Sequence, residues 1–248
     1  MPITDPALPT IELAELMEVG SRQTRVDRKY VLSAADAAMA LELVDDRSTR
    51  VLRIGGTSDL AYSSLYLDTA GLDTFLLAAR DRRRRFKVRT RSYSNGAQFL
   101  EVKTRQRDLT VKRRLAGEHL QGGQLTRSGL DFVSTELTAA GVRAQPELLT
   151  ASLRVDYRRT TLFEEPSAAR STLDTALTWW DVRTGCWLSR PDLAVVETKT
   201  AGRPSGFDKL LWSMGHQPVA MSKYATALAV MHPHLPGNKW RRLIRRYF

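Results

Sequence analysis

Cationic side chains are concentrated in one stretch of this sequence, where eight of the twelve residues from Arg80 to Arg91 are Lys or Arg. From the middle of the stretch onward the cations alternate with other residues, so in a β-strand they would share one face. These alternating cations are Arg83, Arg85, Lys87, Arg89 and Arg91. Like charges on one face repel one another unless a polyanion or interleaved carboxylates neutralise them. The stretch therefore predicts a strand whose charged face binds anions.

The other face of this predicted strand suits a hydrophobic core, because it carries Phe86, Val88 and Thr90. The strand ends near Asn95-Gly96, a dipeptide typical of a tight hairpin. The next predicted strand, Ala97–Arg105, should therefore fold straight back along it. This returning strand also alternates charged and apolar residues.

Charged residues recur at alternate positions in further predicted strands. A third strand would carry Lys112 and Arg114 on one side, and Leu193–Thr200 carries Glu197 and Lys199 two residues apart. A sheet that is apolar on one face and charged on the other can close into a barrel with a polar lumen. Because helical patterns occur between the strands, the predicted fold class is α+β: an antiparallel β-barrel with a basic lumen, or tunnel, and flanking α-helices.

The sequence shows no linker and no repeat of fixed period. We expect an N-terminal arm (1–20), one tunnel domain (21–231) and a basic C-terminal tail (232–248). The tail could lie on an acidic membrane surface, but a helix or strand docked on the end of the barrel is the favoured interpretation.

Composition narrows the classes of partner. The net charge is +11 over 248 residues, so nucleic acid, acidic lipid and polyphosphate are all candidate ligands. The single cysteine, Cys186, excludes an internal disulfide and a cysteine-based zinc site. No apolar run has the length of a signal peptide or a membrane span. We expect a cytoplasmic protein, with membrane association only through the tail; the oligomeric state is not specified by the sequence.

Carboxylates within the basic strands suggest phosphoryl chemistry. Glu101 and Glu197 would pair with neighbouring lysines or hold a divalent cation through oxygen ligands. Cations that clamp phosphate oxygens, with a metal that offsets developing charge, are what phosphoryl transfer requires. Gly55-Gly56-Thr57-Ser58 lacks the lysine and the spacing of a Walker A loop, so side chains would have to hold any nucleotide.

Nine short motifs occur in the order and approximate spacing of the VTC domain, and the sequence resembles that family over roughly residues 20 to 230. The VTC domain is the polyphosphate polymerase module of the vacuolar transporter chaperone complex, within the triphosphate tunnel metalloenzyme (CYTH-like) superfamily. The motifs are Arg28-Lys29-Tyr30, Ser64-Leu-Tyr-Leu-Asp-Thr69, Lys87-Val-Arg-Thr-Arg-Ser-Tyr93, Leu100-Glu-Val-Lys103, Val111-Lys-Arg-Arg114, Tyr157-Arg-Arg-Thr160, Arg170-Ser-Thr-Leu-Asp174, Val196-Glu-Thr-Lys199 and Ser222-Lys-Tyr224.

The resemblance implies a tunnel in which the γ-phosphate of ATP is transferred to a growing polyphosphate chain with a divalent metal, usually Mn²⁺, with Mg²⁺ as the alternative. By position, the implied catalytic phosphate contacts are Lys29, Arg89, Arg91, Lys103, Lys112, Arg159, Arg170 and Lys223. The further implied phosphate-binding residues are Lys87, Arg114, Tyr157, Lys199 and Ser222. Glu197 would be the metal ligand.

Two positions depart from the family pattern. Ala220 stands where a second lysine is expected three residues before Lys223, which puts substrate binding or turnover in question. Arg25 stands where the hydrolytic tunnel enzymes carry the first of two glutamates, which makes simple triphosphate hydrolysis a weaker hypothesis.

Alternative interpretations stay open at this stage. The protein could be a non-catalytic polyphosphate or polyanion binder, or a tri/polyphosphate hydrolase of the same fold. RNA is a weaker candidate ligand, because near the arginine-rich strand only Phe86 and Tyr93 could stack on bases. Glu197 and Lys199 could form a plain ion pair without metal.

Side chains away from the tunnel are expected to have structural or surface roles. Arg82 and Arg84 should be exposed to solvent. Trp179-Trp180 and Cys186-Trp187 are expected to pack outside the barrel.

Overall fold

The computed structural model describes residues 6–20, 26–106 and 109–248. Arg25, one of the two positions that depart from the family pattern, lies outside this part of the chain. The strands are β1 (Thr10–Ile11), β2 (Val26–Ser33), β3 (Thr49–Leu52), β4 (Leu60–Asp68), β5 (Arg84–Tyr93), β6 (Gln98–Gln106), β7 (Leu109–Ala116), β8 (Leu120–Gln121), β9 (Gln124–Leu125), β10 (Thr150–Glu164), β11 (Ala169–Asp181), β12 (Trp187–Arg190) and β13 (Leu193–Thr200). The α-helices are α1 (Leu13–Gly20), α2 (Ala34–Glu42), α3 (Asp73–Ala79), α4 (Arg127–Ala139), α5 (Gly206–Ser213), α6 (Ala225–Met231) and α7 (Arg241–Tyr247).

One large sheet dominates the fold, with its main strands in the order β2-β13-β11-β10-β4-β5-β6-β7 and every neighbouring pair antiparallel. Lys29 of β2 and Lys103 of β6 line the same cavity, so the two ends of the sheet approach each other across it. In the described parts of the chain, β2 and β7 do not pair. The predicted antiparallel α+β fold is therefore confirmed, with the sheet as a curled half-barrel that flanking helices cover.

The predicted hairpin at Asn95-Gly96 is present, and Gly96 has the positive φ of +81° that such a turn requires. Tyr93 and Ala97 pair across it, since the Tyr93 amide donates to the Ala97 carbonyl at 3.0 Å. The turn fixes the register of β5 against β6, in which Arg89 lies opposite Glu101 and Lys87 lies opposite Lys103. A slip by one residue would turn all of these side chains to the other face of the sheet.

Helices cover most of the outer, convex face of the sheet. Apolar residues of α2 and α5 pack on β2, β11 and β13, in a cluster that includes Tyr30, Val196 and Phe207. Helix α4 packs on β5 and β6 around Val88 and Leu100. The side chain of Ser33 caps α2 by accepting a hydrogen bond from the Asp36 amide at 2.9 Å. Apolar burial on this face leaves the alternate, charged residues on the concave side.

One end of the concave face is apolar and is filled by helix α6 and the C-terminal segment. Trp240 and Leu243 belong to the same buried cluster as Val155 and Leu177 of the sheet. The tail thus docks on the end of the sheet, which was the favoured interpretation. A membrane contact through its main apolar residues is not supported, because Trp240 and Leu243 are buried within the fold.

Trp179 corrects a sequence-based expectation. It was expected outside the barrel, but it is fully buried at the apolar end, where its indole N–H donates to the Lys223 carbonyl at 2.8 Å. Its neighbour Trp180 and the facing Trp187 are exposed on the other side of the strand, as expected. Adjacent residues of a strand must point to opposite faces, so the two tryptophans could not share one environment.

No helix in the described ranges is both long and apolar enough to cross a bilayer.

A buried carboxylate connects the sheet to the segment before α6. Asp68, at the end of β4, accepts hydrogen bonds from the backbone amides of Thr74 (2.8 Å) and Phe75 (3.0 Å) and from the Thr74 hydroxyl. It also accepts the Tyr224 hydroxyl at 2.5 Å. Because Tyr224 directly follows Lys223, this network fixes where the chain enters α6 and how the preceding residues face the concave side.

We expect Asp68→Ala to lower the free energy of unfolding by about 3 kcal/mol or more, because several buried donors would lose their acceptor. Tyr224→Phe should cost about 1 kcal/mol, since it removes one hydrogen bond. Urea denaturation measures both. The control is Asp131→Ala on the exposed surface of α4, which should stay within about 0.5 kcal/mol of the parent. A loss for Asp68→Ala no larger than that of the control would contradict the anchoring role.

Candidate functional site

The charged part of the concave face encloses a cavity of about 250 Å³. Its walls come from β2, β4, β5, β6, β7, β10, β11 and β13 and from the segment before α6. In the described residues ten cations line it, against two carboxylates, Glu101 and Glu197. The cations are Lys29, Lys87, Arg89, Arg91, Lys103, Lys112, Arg159, Arg170, Lys199 and Lys223. The cavity is therefore a strongly basic enclosure.

Every site residue predicted from the sequence lines this cavity except Arg114. Tyr157 and Ser222 contribute hydroxyl groups to the wall. Arg114 lies on the exposed edge strand β7, with its guanidinium 4.9 Å from the centre of the Phe99 ring. The structure thus brings the predicted residues together, while their individual roles in binding remain predictions.

Glu101 is the centre of the first charge cluster. It accepts hydrogen bonds from Arg89 Nε at 2.7 Å and from Lys112 Nζ at 2.5 Å, and Arg91 lies 3.9 Å away. Burial acts to raise the pKa of Glu101, but Arg89, Arg91 and Lys112 outweigh it and hold this pKa well below its usual range. Glu101 is therefore an ionised structural partner of the cations, as the sequence suggests.

Asp174, on β11, is the centre of a second charge cluster. Arg159 bonds it through two nitrogens, at 2.6 and 2.8 Å, and Lys223 Nζ donates to the same carboxylate. Asp174 is fully buried, and although burial opposes ionisation, Arg159 and Lys223 lower its pKa. Sequence reasoning gave Asp174 no role, although it is the last residue of one matched motif. Knowing the register of β10 against β11, which pairs Arg159 with Asp174, would have identified it.

Tyrosines form the base of the cavity between these clusters. Tyr157 stacks on Tyr62 with ring centres 5.4 Å apart. Arg159 lies 5.3 Å from the Tyr157 ring centre, and Lys223 lies 5.2 Å from it. Such cation–π contacts hold cations in place without neutralising them, so Asp174 is the only counter-charge that the described residues place on Arg159 and Lys223.

Glu197 is the candidate metal ligand, and it lies among lysines. Lys199 Nζ donates to it at 2.5 Å, and Lys29 Nζ is 3.7 Å away. Burial opposes ionisation, yet Lys29 and Lys199 hold the pKa of Glu197 well below its usual range. No group of three or more His, Cys, Asp or Glu side chains suited to a metal occurs in the described ranges. Mg²⁺-like ions are often bound by one or two carboxylates together with waters and substrate phosphates, so this site fits an ion that arrives with phosphates rather than a preformed protein cage.

Two lysines of the cavity, Lys87 and Lys112, have lowered pKa values. Burial, helped by the nearby charges of Lys103 and Lys29, lowers the pKa of Lys87 to about 7. Its Nζ donates to the Ser222 hydroxyl at 2.9 Å. Burial also lowers the pKa of Lys112, to about 8, even though Glu101 acts in the other direction. A bound anion would favour the protonated forms of both lysines.

We expect the affinity for tripolyphosphate to fall as the pH rises through about 7 and then 8, because binding must then protonate Lys87 and Lys112. Each linked proton contributes up to about tenfold per pH unit. Isothermal titration calorimetry at constant ionic strength measures this profile. Lys87→Arg should flatten its lower part, because a guanidinium stays charged throughout.

At each pH, dividing the affinity of the parent by that of Lys87→Arg removes the effect of the titration of tripolyphosphate itself. What remains is the contribution of Lys87. If this ratio stays constant between about pH 6 and about pH 9, Lys87 does not titrate near neutrality and the electrostatic description of the cavity is wrong.

Comparison with known proteins identifies the family. The model of the family described as "VTC domain" matches residues 24–232, which is most of the chain. The crystal structure of a proposed adenylate cyclase from Bacillus halodurans superposes with a TM-score of 0.49 and 11% identity, covering 81% of this chain and 94% of that one. A likeness this remote carries no information about function. No curated protein matches the sequence significantly. The family match supports a polyphosphate-related function and an enzyme of the tunnel type. Because the match extends over residues 24–232, the chain belongs to the VTC domain family.

Proposed function

We propose that this protein is a polyphosphate polymerase, a metal-dependent phosphotransferase that moves the γ-phosphate of ATP onto a polyphosphate chain. The observation that carries the proposal is that ten cations and only two carboxylates of the described residues line one cavity. A cavity with this charge is suited to a ligand with several negative charges in a row. Membership of the VTC domain family supports a polyphosphate-related ligand.

Two groups of cations in the cavity would hold the two reactants. Arg89 and Arg91 on β5 form one group, Arg159 on β10 and Lys223 before α6 form the other, and all four line the cavity. Arginine can bind phosphate oxygens through two nitrogens at once. Because Glu101 and Asp174 already orient these guanidiniums, little side-chain ordering would be left for the substrate to impose.

In the proposed reaction, a terminal oxygen of the polyphosphate chain attacks the γ-phosphorus of ATP. The bond from that phosphorus to the β–γ bridging oxygen breaks, and ADP leaves with the electron pair. The chain's residues contribute by holding donor and acceptor in line and by stabilising the charge on the transferred phosphoryl group. No covalent intermediate with the protein is needed.

Glu197 is the residue that we propose would hold Mn²⁺ or Mg²⁺. A divalent cation would offset the charge that develops on the phosphate oxygens. To bind it, Glu197 would exchange its contacts with Lys199 and Lys29, and these lysines would then be available to phosphate oxygens.

Incubation of the purified protein with ATP and Mn²⁺ should produce ladders of polyphosphate on a gel, together with ADP. The double variant Arg89→Ala/Arg91→Ala should abolish both products, since it removes two charged contacts that act in the transition state. Arg82→Ala/Arg84→Ala is the matched control, because it also removes two positive charges, but both residues lie on the outer face, away from the cavity. It should mainly slow substrate capture, most clearly at low salt, where long-range attraction is least screened. Equal losses in the two double variants would contradict the proposal.

A non-catalytic polyphosphate binder is the second candidate function. The ion pairs that occupy Glu197 favour it, because in this arrangement the carboxylate serves as a counter-charge for lysines. The two functions differ in their need for Glu197. If Glu197→Gln leaves polyphosphate binding intact and the parent protein yields no polymer, ADP or inorganic phosphate, the binder is the better description. Inorganic phosphate without polymer would instead indicate a hydrolase.

Both functions require strong salt dependence of polyphosphate binding. If nucleic acids are a fair guide, each phosphate that the protein neutralises should contribute about 0.7 to 0.9 to the slope of log affinity against log salt. Fluorescence competition at several salt concentrations measures this slope. A flat response would count against both candidates.

A further inference from the structure

A second pocket continues the cavity toward solvent. It has a volume of about 320 Å³ and shares Lys29, Lys87, Lys103, Met221 and Ser222 with the deep cavity. We call it the mouth pocket. Since the same side chains line both spaces, an extended ligand held in the deep cavity can continue into the mouth pocket.

Among the residues that the structure describes, three cations line the mouth pocket but not the deep cavity: Arg85, Arg105 and Lys239. Lys239 comes from the 3-10 turn Asn238–Trp240, beyond residue 232, where the match to the VTC domain family ends. Sequence reasoning placed Lys239 in the basic tail and gave it no part in the site. The tail reaches the pocket because Trp240 is buried in the core cluster next to it.

Two of these cations share one carboxylate. Asp81 Oδ1 lies 2.5 Å from Lys239 Nζ and 3.1 Å from an Arg85 nitrogen. The Asp81 side chain is 66% exposed, whereas those of Arg85 and Lys239 are 20% and 26% exposed. An exposed carboxylate is a weak partner, because water screens it and its release has little cost. A phosphate entering the pocket can therefore take over both cations.

We propose that Arg85 and Lys239, together with Arg105, form an additional phosphate subsite that binds the part of a polyphosphate chain lying beyond the deep cavity. This inference rests on the proposed ligand class, a phosphate chain. It predicts that the mouth pocket makes the protein bind long chains more tightly than short ones, and it makes the C-terminal segment a part of the binding site.

The test compares the binding of long-chain polyphosphate and tripolyphosphate, both without nucleotide. Arg85→Gln/Lys239→Gln should weaken long-chain binding by about tenfold or more, as expected for losing two charge-assisted contacts, and should weaken tripolyphosphate binding several-fold less. The matched control, Arg82→Gln/Arg84→Gln, removes the same charge from the outer face. It should change both affinities by the same small factor.

A variant that should bind more tightly controls for misfolding, because a misfolded protein would bind more weakly. Asp81→Asn removes the carboxylate that competes with phosphate, so long-chain binding should become tighter. Asn tolerates the left-handed backbone found at this position, where φ is +49°. Binding that is unchanged or weaker in Asp81→Asn would overturn the assignment of Arg85 and Lys239.

The remaining outcomes also decide the question. If Arg85→Gln/Lys239→Gln weakens the binding of both phosphate ligands equally, or leaves long-chain binding intact, the mouth pocket is not a chain subsite. Binding is measured without turnover, so failure of the protein to make polymer overturns the proposed polymerase but leaves this inference standing. If neither phosphate ligand binds, both proposals fail.

Discussion

Repulsion among cations is the constraint on which this structure depends. Ten lysines and arginines of the described residues line one cavity. Because like charges repel one another strongly in a poorly solvated space, this arrangement disfavours folding. The described part of the chain offsets this with the buried Glu101 and Asp174 and the partly exposed Glu197, each placed between cations from different elements. Glu101 joins β5 to β7, Asp174 joins β10 to the segment before α6, and Glu197 joins β2 to β13. An anionic ligand would neutralise the positive charge that remains.

The sheet separates this charge from the parts that stabilise the fold. Its outer face buries apolar residues under α2, α4 and α5, and one end of its concave face is closed by α6 and the C-terminal segment. The Asp68–Tyr224 hydrogen bond crosses from the sheet to that closing segment. Lys223 and Ser222 precede Tyr224 and face the cavity. Packing at the apolar end therefore determines where these two polar groups lie in the charged region.

Alternation along single strands was the part of this structure that sequence could predict. In β5 it identified the buried side, with Phe86 and Val88, and the side that lines the cavity, with Arg89 and Arg91. The Asn95-Gly96 turn fixed the strand that follows, because a tight hairpin leaves only one register. Both signals are local, so no knowledge of distant contacts was needed.

Contacts between distant strands could not be predicted in this way. Asp174 meets Arg159 only through the register of β10 and β11, which an extra residue near Ala176 shifts. Lys239 reaches the mouth pocket because Trp240 packs in the core, and nothing local to the tail indicates that contact.

Arg114 shows the reverse case, since it has the predicted alternation but lies on an exposed edge strand outside the cavity. Lys112, two residues earlier on the same strand, does line the cavity, so the exclusion of Arg114 depends on how far along β7 the cavity extends. Alternation within one strand does not contain that information.

The central claim is that the basic cavity enclosed by the sheet is where a phosphate chain binds. A crystal structure of the protein with tripolyphosphate tests this most directly. We predict phosphate density between Arg89 and Arg159, with further oxygens contacting Lys103 and Lys199. Density only on the outer face, beside Arg82 and Arg84, with the cavity side chains still paired to Glu101, Asp174 and Glu197, would contradict the account.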